Sequence, residues 1–193
     1  MIKVGIVGDI GSGKSFVARQ FGYPVFDADL EVSKIYKKNR ICFKKLKKKL
    51  PKFIKSFPVS KKELKYAVLE NKNNLKKIEK IIHPAVRKNM RKFIQLNRHK
   101  KIIIFDIPLL LENKIFNKKD IIIIFVDAKK KDINKKLKQR KNYNKKILKK
   151  LKKLQLNLEI KRKKSNYLIK NDFKRSNLKK RVKILKSKIL KNL

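Results

Sequence analysis

The chain has 193 residues, 41% of them hydrophobic, which suits one α/β domain with a core and is too few for two large domains. It carries 59 Lys+Arg against 14 Asp+Glu, a formal net charge of +45; the lysines are spread along the chain as AT-rich codon drift would leave them, so the partner implied by charge alone is any polyanion, bound nonspecifically. One cysteine, Cys42, excludes an internal disulfide, and the longest apolar stretch, Ile102 to Leu111, is broken by Asp106 and Pro108 and too short to span a bilayer, so a cytoplasmic protein with no membrane partner is expected.

Ile2 to Val7 reads as a short buried strand. It runs into Gly8-Asp9-Ile10-Gly11-Ser12-Gly13-Lys14-Ser15, a complete G-x-x-x-x-G-K-[ST] loop, and then a helix in which Val17 and Phe21 fall one turn apart. Gly8, Gly11 and Gly13 let the backbone curl, through Ser12, so that successive N–H groups point at phosphate oxygens. Lys14 is expected to reach the β- and γ-phosphates of ATP, and Ser15 to ligate Mg²⁺. Asp9 puts a carboxylate in a loop built for anions; either it points away or it weakens nucleotide binding.

Pro24 to Phe26 forms a second strand, followed by Asp27-Ala28-Asp29. The connection over about residues 31–100 is too long for a simple crossover. It has helical patterns around Phe43 to Leu50, Lys62 to Glu70 and Leu75 to Ile82, and reads as an inserted lobe for a second substrate. His83-Pro84, directly after the last of these, reads as a helix end. Lys101 to Asp106 and Ile121 to Asp127 are further strands, and Tyr167 to Lys170 a weaker one. Strands alternating with helices predict a doubly wound parallel sheet, which binds ligands at the C-terminal ends of its strands. Asp27, Asp29 and Asp106 are therefore expected to face the phosphate loop. Phosphoryl transfer to a hydroxyl uses one carboxylate to orient or deprotonate it and another to help hold a metal. Two apolar stripes, Ile147-Leu151-Leu154-Leu158 and Leu178-Val182-Leu185-Ile189, are expected to dock on the sheet.

Taken in order, these residues resemble the dephospho-CoA kinase family. The resemblance rests on the loop, on Asp27-Ala28-Asp29, on Ile82-His83-Pro84, on Asp106-Ile107-Pro108-Leu109-Leu110-Leu111-Glu112, on Leu137 with Arg140, and on Gln155 and Asn171. It implies a P-loop kinase fold, α/β, with a five-stranded parallel sheet and flanking helices in a single domain over 1–193. It also implies a helical substrate lobe near 31–100 and a helical lid near 136–156. The implied reaction transfers the γ-phosphoryl of ATP, with Mg²⁺, to the ribose 3′-hydroxyl of dephospho-CoA. Asp29 would be the base, with Asp27 next, and Lys14 and Arg140 would neutralise the transferring phosphoryl. The loop residues Gly8, Gly11, Ser12, Gly13, Lys14 and Ser15, with Asn171, would hold the nucleotide. Ser15 and Asp106 would hold the metal, and His83, Pro84, Leu109, Leu110 and Glu112 would shape the acceptor side. Asp9 departs from a common Gly, Ser165-Asn166 from Ala-Asp, and Lys136 from an Arg whose planar fork grips phosphates. The rival readings are another small-molecule or nucleoside kinase, and a nucleic-acid-binding NTPase. The second rests on charge alone, with aromatics at 8% and no RRM, KH or zinc-finger pattern, so no specific nucleic acid is expected.

Overall fold

The structure, a computed structural model, describes residues 1–113, 115–139 and 143–191. It divides into two compact units, Met1–Asp27 with His99–Leu193, and Ala28–Arg98.

The first unit is built on a five-stranded parallel sheet in the order β2-β3-β1-β4-β5. The strands are β1 (Ile2–Gly8), β2 (Val25–Asp27), β3 (Ile102–Asp106), β4 (Ile122–Asp127) and β5 (Tyr167–Lys170). The Ile-Ile-Ile-Phe-Asp run of β3 is buried along its whole length, as expected of a strand covered on both faces. β5 sits at the edge. Its entry is pinned by Asn166, whose Oδ1 accepts the Ile123 N–H at 2.8 Å and whose own N–H donates to the Ile123 carbonyl at 2.8 Å.

Helices α1 (Lys14–Gln20) and α9 (Arg175–Lys191) close one core. Val17, Ala18 and Phe21 meet Leu178, Val182, Leu185 and Ile189 there, so the second apolar stripe docks as expected. The first stripe does not. Helix α7 (Lys145–Lys153) ends before Leu154, and α8 (Leu158–Lys163) begins only after a break capped by Asn157, whose Oδ1 accepts the Glu159 N–H at 2.8 Å. The chain turns between the two helices, the spacing no longer marks one face, and Leu151, Leu154 and Leu158 are exposed. The side chain of Ile147 lies outside the described residues.

The second unit is helical: α2 (Ala28–Lys38), α3 (Arg40–Lys49), α4 (Lys61–Glu70) and α5 (Lys72–Leu96). Its core gathers Ile35, Cys42, Leu46, Ile54, Ile78 and Ile82. Ser60 starts α4 with a capping box, accepting the Glu63 N–H at 3.1 Å while Glu63 accepts the Ser60 N–H at 3.2 Å. Helix α2 was not foreseen, and the helix end expected at His83-Pro84 is corrected: α5 continues through Pro84. Ile78 and Ile82 before the proline and Ala85 and Val86 after it pack on the same core, and this packing outweighs the hydrogen bond that proline removes. No helix among the described residues is long and apolar enough to cross a membrane.

Candidate active site

The loop after β1 needs backbone angles that side chains resist. Gly11 has φ 85° and Gly13 φ 91°, both in the left-handed region. A Cβ on Gly11 would lie 2.8 Å from Cγ of Leu137, and one on Gly13 would strike the amide nitrogen of Asn171. The loop is thus gripped by its neighbours. Leu137 and Ile133 of helix α6 (Lys130–Lys138) rest on it at Gly11, and Asn171 donates from Nδ2 to the buried Ser12 carbonyl at 2.8 Å. Oδ1 of Asn171 accepts the Phe173 N–H at 2.9 Å, so both ends of that amide brace backbone. Lys14 curls over the loop, its Nζ donating to the carbonyl of Asp9 at 2.8 Å and of Gly8 at 3.3 Å. The Ser12 hydroxyl is fully buried and has no hydrogen-bond partner among the described residues.

Asp9 is held at both ends of its side chain. Its Oδ1 accepts the Ile10 N–H at 2.7 Å, and its Oδ2 lies 3.6 Å from the Lys152 ammonium on α7.

Two carboxylates meet at the strand ends. Asp27 and Asp106 are register partners on β2 and β3, both at C-terminal ends. Asp106 is buried, 8% exposed, and accepts a hydrogen bond from the Ser15 hydroxyl. Burial pushes its carboxyl above the usual carboxylate range; the Ser15 bond opposes this, the Asp27 charge adds to it, and Lys14 and Arg19 pull back without reversing it. Asp29 is exposed in the first turn of α2, in the helical unit, and His83 and Pro84 are exposed on α5 of that unit. Arg140 lies outside the described residues.

The segment after β3 carries three further expected residues. Leu109 has φ 56° and is half-buried; Leu110 is buried over Gly5 in the sheet core. Glu112 accepts the Leu156 N–H at 2.9 Å and the Lys161 ammonium at 2.8 Å, both through Oε1. Burial alone would raise its carboxyl, but these bonds outweigh it and hold the group below its ordinary value. Arg162, next along α8, pairs with Asp127 at 3.1 Å and lies 5.5 Å from the Phe125 ring centre. Lys161 and Arg162 were not singled out from sequence, since nothing local distinguishes them from the other basic residues; burial of Lys161 to 3% exposure is a product of the fold. A cavity of about 410 Å³ opens between the end of β4 and α7–α8, lined by Asp9, Asp127, Lys130, Lys152 and Gln155 among others.

With this geometry in view, residues 2–177 match the family model for dephospho-CoA kinase, CoaE. A dephospho-CoA kinase from Wolbachia pipientis wMel is 33% identical over 171 residues, 86% of this chain and 87% of that one. One from Fusobacterium nucleatum is 33% identical over 183 residues, 93% of this chain and 94% of that one. A solved dephospho-CoA kinase from Campylobacter jejuni superposes with a TM-score of 0.70 over 98% of each chain; at 24% identity that likeness is one of fold.

Proposed function

This chain belongs to the dephospho-CoA kinase family, whose reaction is ATP-dependent phosphorylation of dephospho-CoA in coenzyme A biosynthesis, and on that premise we propose that the γ-phosphoryl passes to the ribose 3′-hydroxyl over the loop Gly8–Ser15. The observation that carries the proposal is the cluster at that loop: Lys14 on the loop carbonyls, Ser15 bonded to Asp106, and Asp106 in register with Asp27. The backbone N–H groups of the loop bind the β- and γ-phosphates, and Asn171 keeps them aimed by holding the Ser12 carbonyl.

In the reaction the 3′-oxygen attacks Pγ, the bond from Pγ to the β,γ-bridging oxygen breaks, and the electron pair leaves with ADP. The hydroxyl proton goes to a carboxylate. Asp29 is our assignment for that base, with Asp27 the alternative. Lys14 and Arg140 stabilise negative charge on the transferring group. His83, Pro84, Leu109 and Glu112 belong to the acceptor side, Glu112 through the backbone it ties down, and Leu110, buried over Gly5, contributes by anchoring that segment to the sheet. Ser15 and Asp106 suit Mg²⁺: they are hard oxygen donors joined by a hydrogen bond. Bound there with the nucleotide, the ion supplies charge neutralisation at the phosphates. The setting is the cytoplasm.

The test is ADP release with Mg-ATP, with and without dephospho-CoA, alongside CoA formation. Dephospho-CoA should stimulate release with CoA appearing in step. Asp29→Asn should keep ATP binding and lose about 10²-fold or more in turnover, the scale of a positioned base. Near-normal turnover in that variant would move the role to Asp27. Lys14→Ala should damage both turnover and nucleotide affinity. The net charge of +45 favours nonspecific polyanion binding as a second property; stimulation of hydrolysis by RNA and not by dephospho-CoA would overturn the kinase reading.

A further inference from the structure

The acidic second position of the phosphate loop has a counterpart elsewhere in the fold. The Asp9 side chain is held in place on the loop. Oδ1 is bonded to the adjacent Ile10 N–H at 2.7 Å, and the carbonyl of the same residue holds the Lys14 ammonium at 2.8 Å. Its side chain is only 13% exposed, so water disperses the charge poorly. The side chain is thus braced on a loop whose N–H groups and lysine, as read above, receive a polyanion. Among the described residues the cation paired with Oδ2 comes from α7: Lys152, 3.6 Å away, its side chain 35% exposed. Asp127, the other carboxylate lining the same cavity, already has Arg162 at 3.1 Å. Each of these two acidic groups is thus matched by a base from the helices that follow β4.

We propose that Lys152 is a positioning residue for nucleotide binding: its ammonium offsets the Asp9 carboxylate, so that a loop with an acidic second position still accepts a triphosphate. This rests on the reading of Gly8–Ser15 as the ATP loop. In this role Lys152 acts through Asp9 and not on the phosphates. The pairing also ties α7 to the loop, so the helix is held by the group whose charge it cancels.

The decisive experiment is a double-mutant cycle on MgATP affinity, measured by displacement of a fluorescent nucleotide at low salt, for the parent, D9N, K152M and D9N/K152M. Asparagine keeps an acceptor for the Ile10 N–H and removes the charge. The chain has 59 Lys+Arg, and their general field acts alike on all four proteins, so the cycle cancels it and leaves the contact. K152M should weaken binding about threefold to fivefold when Asp9 is present, the range of a partly exposed ion pair. In the D9N background the same substitution should leave affinity unchanged. K152R should restore affinity, the K152M defect should shrink at about 0.5 M KCl, and kcat at saturating ATP should stay near the parent value while KM for ATP rises. Equal losses in both backgrounds would overturn the proposal, because Lys152 would then act on the nucleotide or the fold directly. No loss in either would overturn it too. Lys14→Ala separates the two readings: if it leaves MgATP affinity intact, the loop assignment itself falls, whereas absent coupling with a defective Lys14→Ala removes only the Asp9–Lys152 pair.

Discussion

Asp106 ionises against its surroundings. Its folded-state carboxyl is raised, chiefly by burial, so the folded protein binds this proton more tightly than the unfolded chain does. Its contribution to stability is complete below the unfolded carboxylate range and is lost as pH rises through the raised value. At neutral pH Asp106 is therefore a local cost. Asp106→Asn, which keeps an acceptor for Ser15, should raise Tm at pH 7, and the gain should shrink as pH falls toward the ordinary carboxylate range. Thermal melts across pH check this; a gain that is constant with pH would mean that burial of charge is not the cause. The same substitution should lower activity, the trade expected where a site holds an unfavourable charge. Much of the site was legible at this scale, because the loop motif, Asp27 and Asp106 are local signals placed at strand ends. Asn166 was legible only as a departure from a family pattern. Its use, pinning β5 to β4 with two hydrogen bonds across the sheet edge, depends on a partner far along the chain.

At the scale of elements, the strands were readable because each is a short apolar run ended by a polar or turn residue, and the structure keeps each within a residue or two of its expected ends. The helices were less so. Proline signalled an end where α5 continues, since local backbone preference is outvoted by the side chains packed on either side of Pro84. The stripe from Ile147 to Leu158 carried the right period across a break that periodicity cannot register. One contact between elements closes on the loop at Gly13. Gly13→Ala would place a methyl group against the Asn171 amide at a residue with φ 91°. Strain of this kind costs on the order of 1–3 kcal/mol, so nucleotide affinity should fall roughly tenfold or more. Titration of the variant with MgATP, with circular dichroism to confirm the fold, tests it; unchanged affinity would mean that Asn171 does not brace the loop.

For the molecule as a whole, charge is the dominant fact. A net charge of +45 repels itself, and that repulsion is strongest where salt is scarce. Tm should rise as KCl goes from about 0.01 M to about 0.15 M, over which the screening length falls from roughly 30 Å to roughly 8 Å. A flat response would show that the lysines are too dispersed to strain the fold. Among the described residues one lysine is buried. Lys161 is buried against Glu112, joining α8 to the segment that follows Asp106. Lys161→Met would remove the cation from the half-buried Glu112 carboxylate and leave it the Leu156 N–H, at a cost of about 1–3 kcal/mol. Denaturant melts would show this as a lower midpoint with unchanged slope.

Cys42, the chain's only cysteine, sits in the core of the helical unit at 6% exposure, and burial pushes its thiol pKa above the ordinary value. A thiol that is both shielded and held protonated reacts slowly with disulfide reagents until the helices around it part. The protein therefore carries a built-in clock. Where reclosing outruns labelling, the modification rate reports the free energy for opening the Ala28–Arg98 unit. The sheet unit has no thiol to blur the reading. Repeating the measurement with dephospho-CoA present would test the proposed acceptor side: binding there should appear as a slowing of chemistry at one sulfur atom.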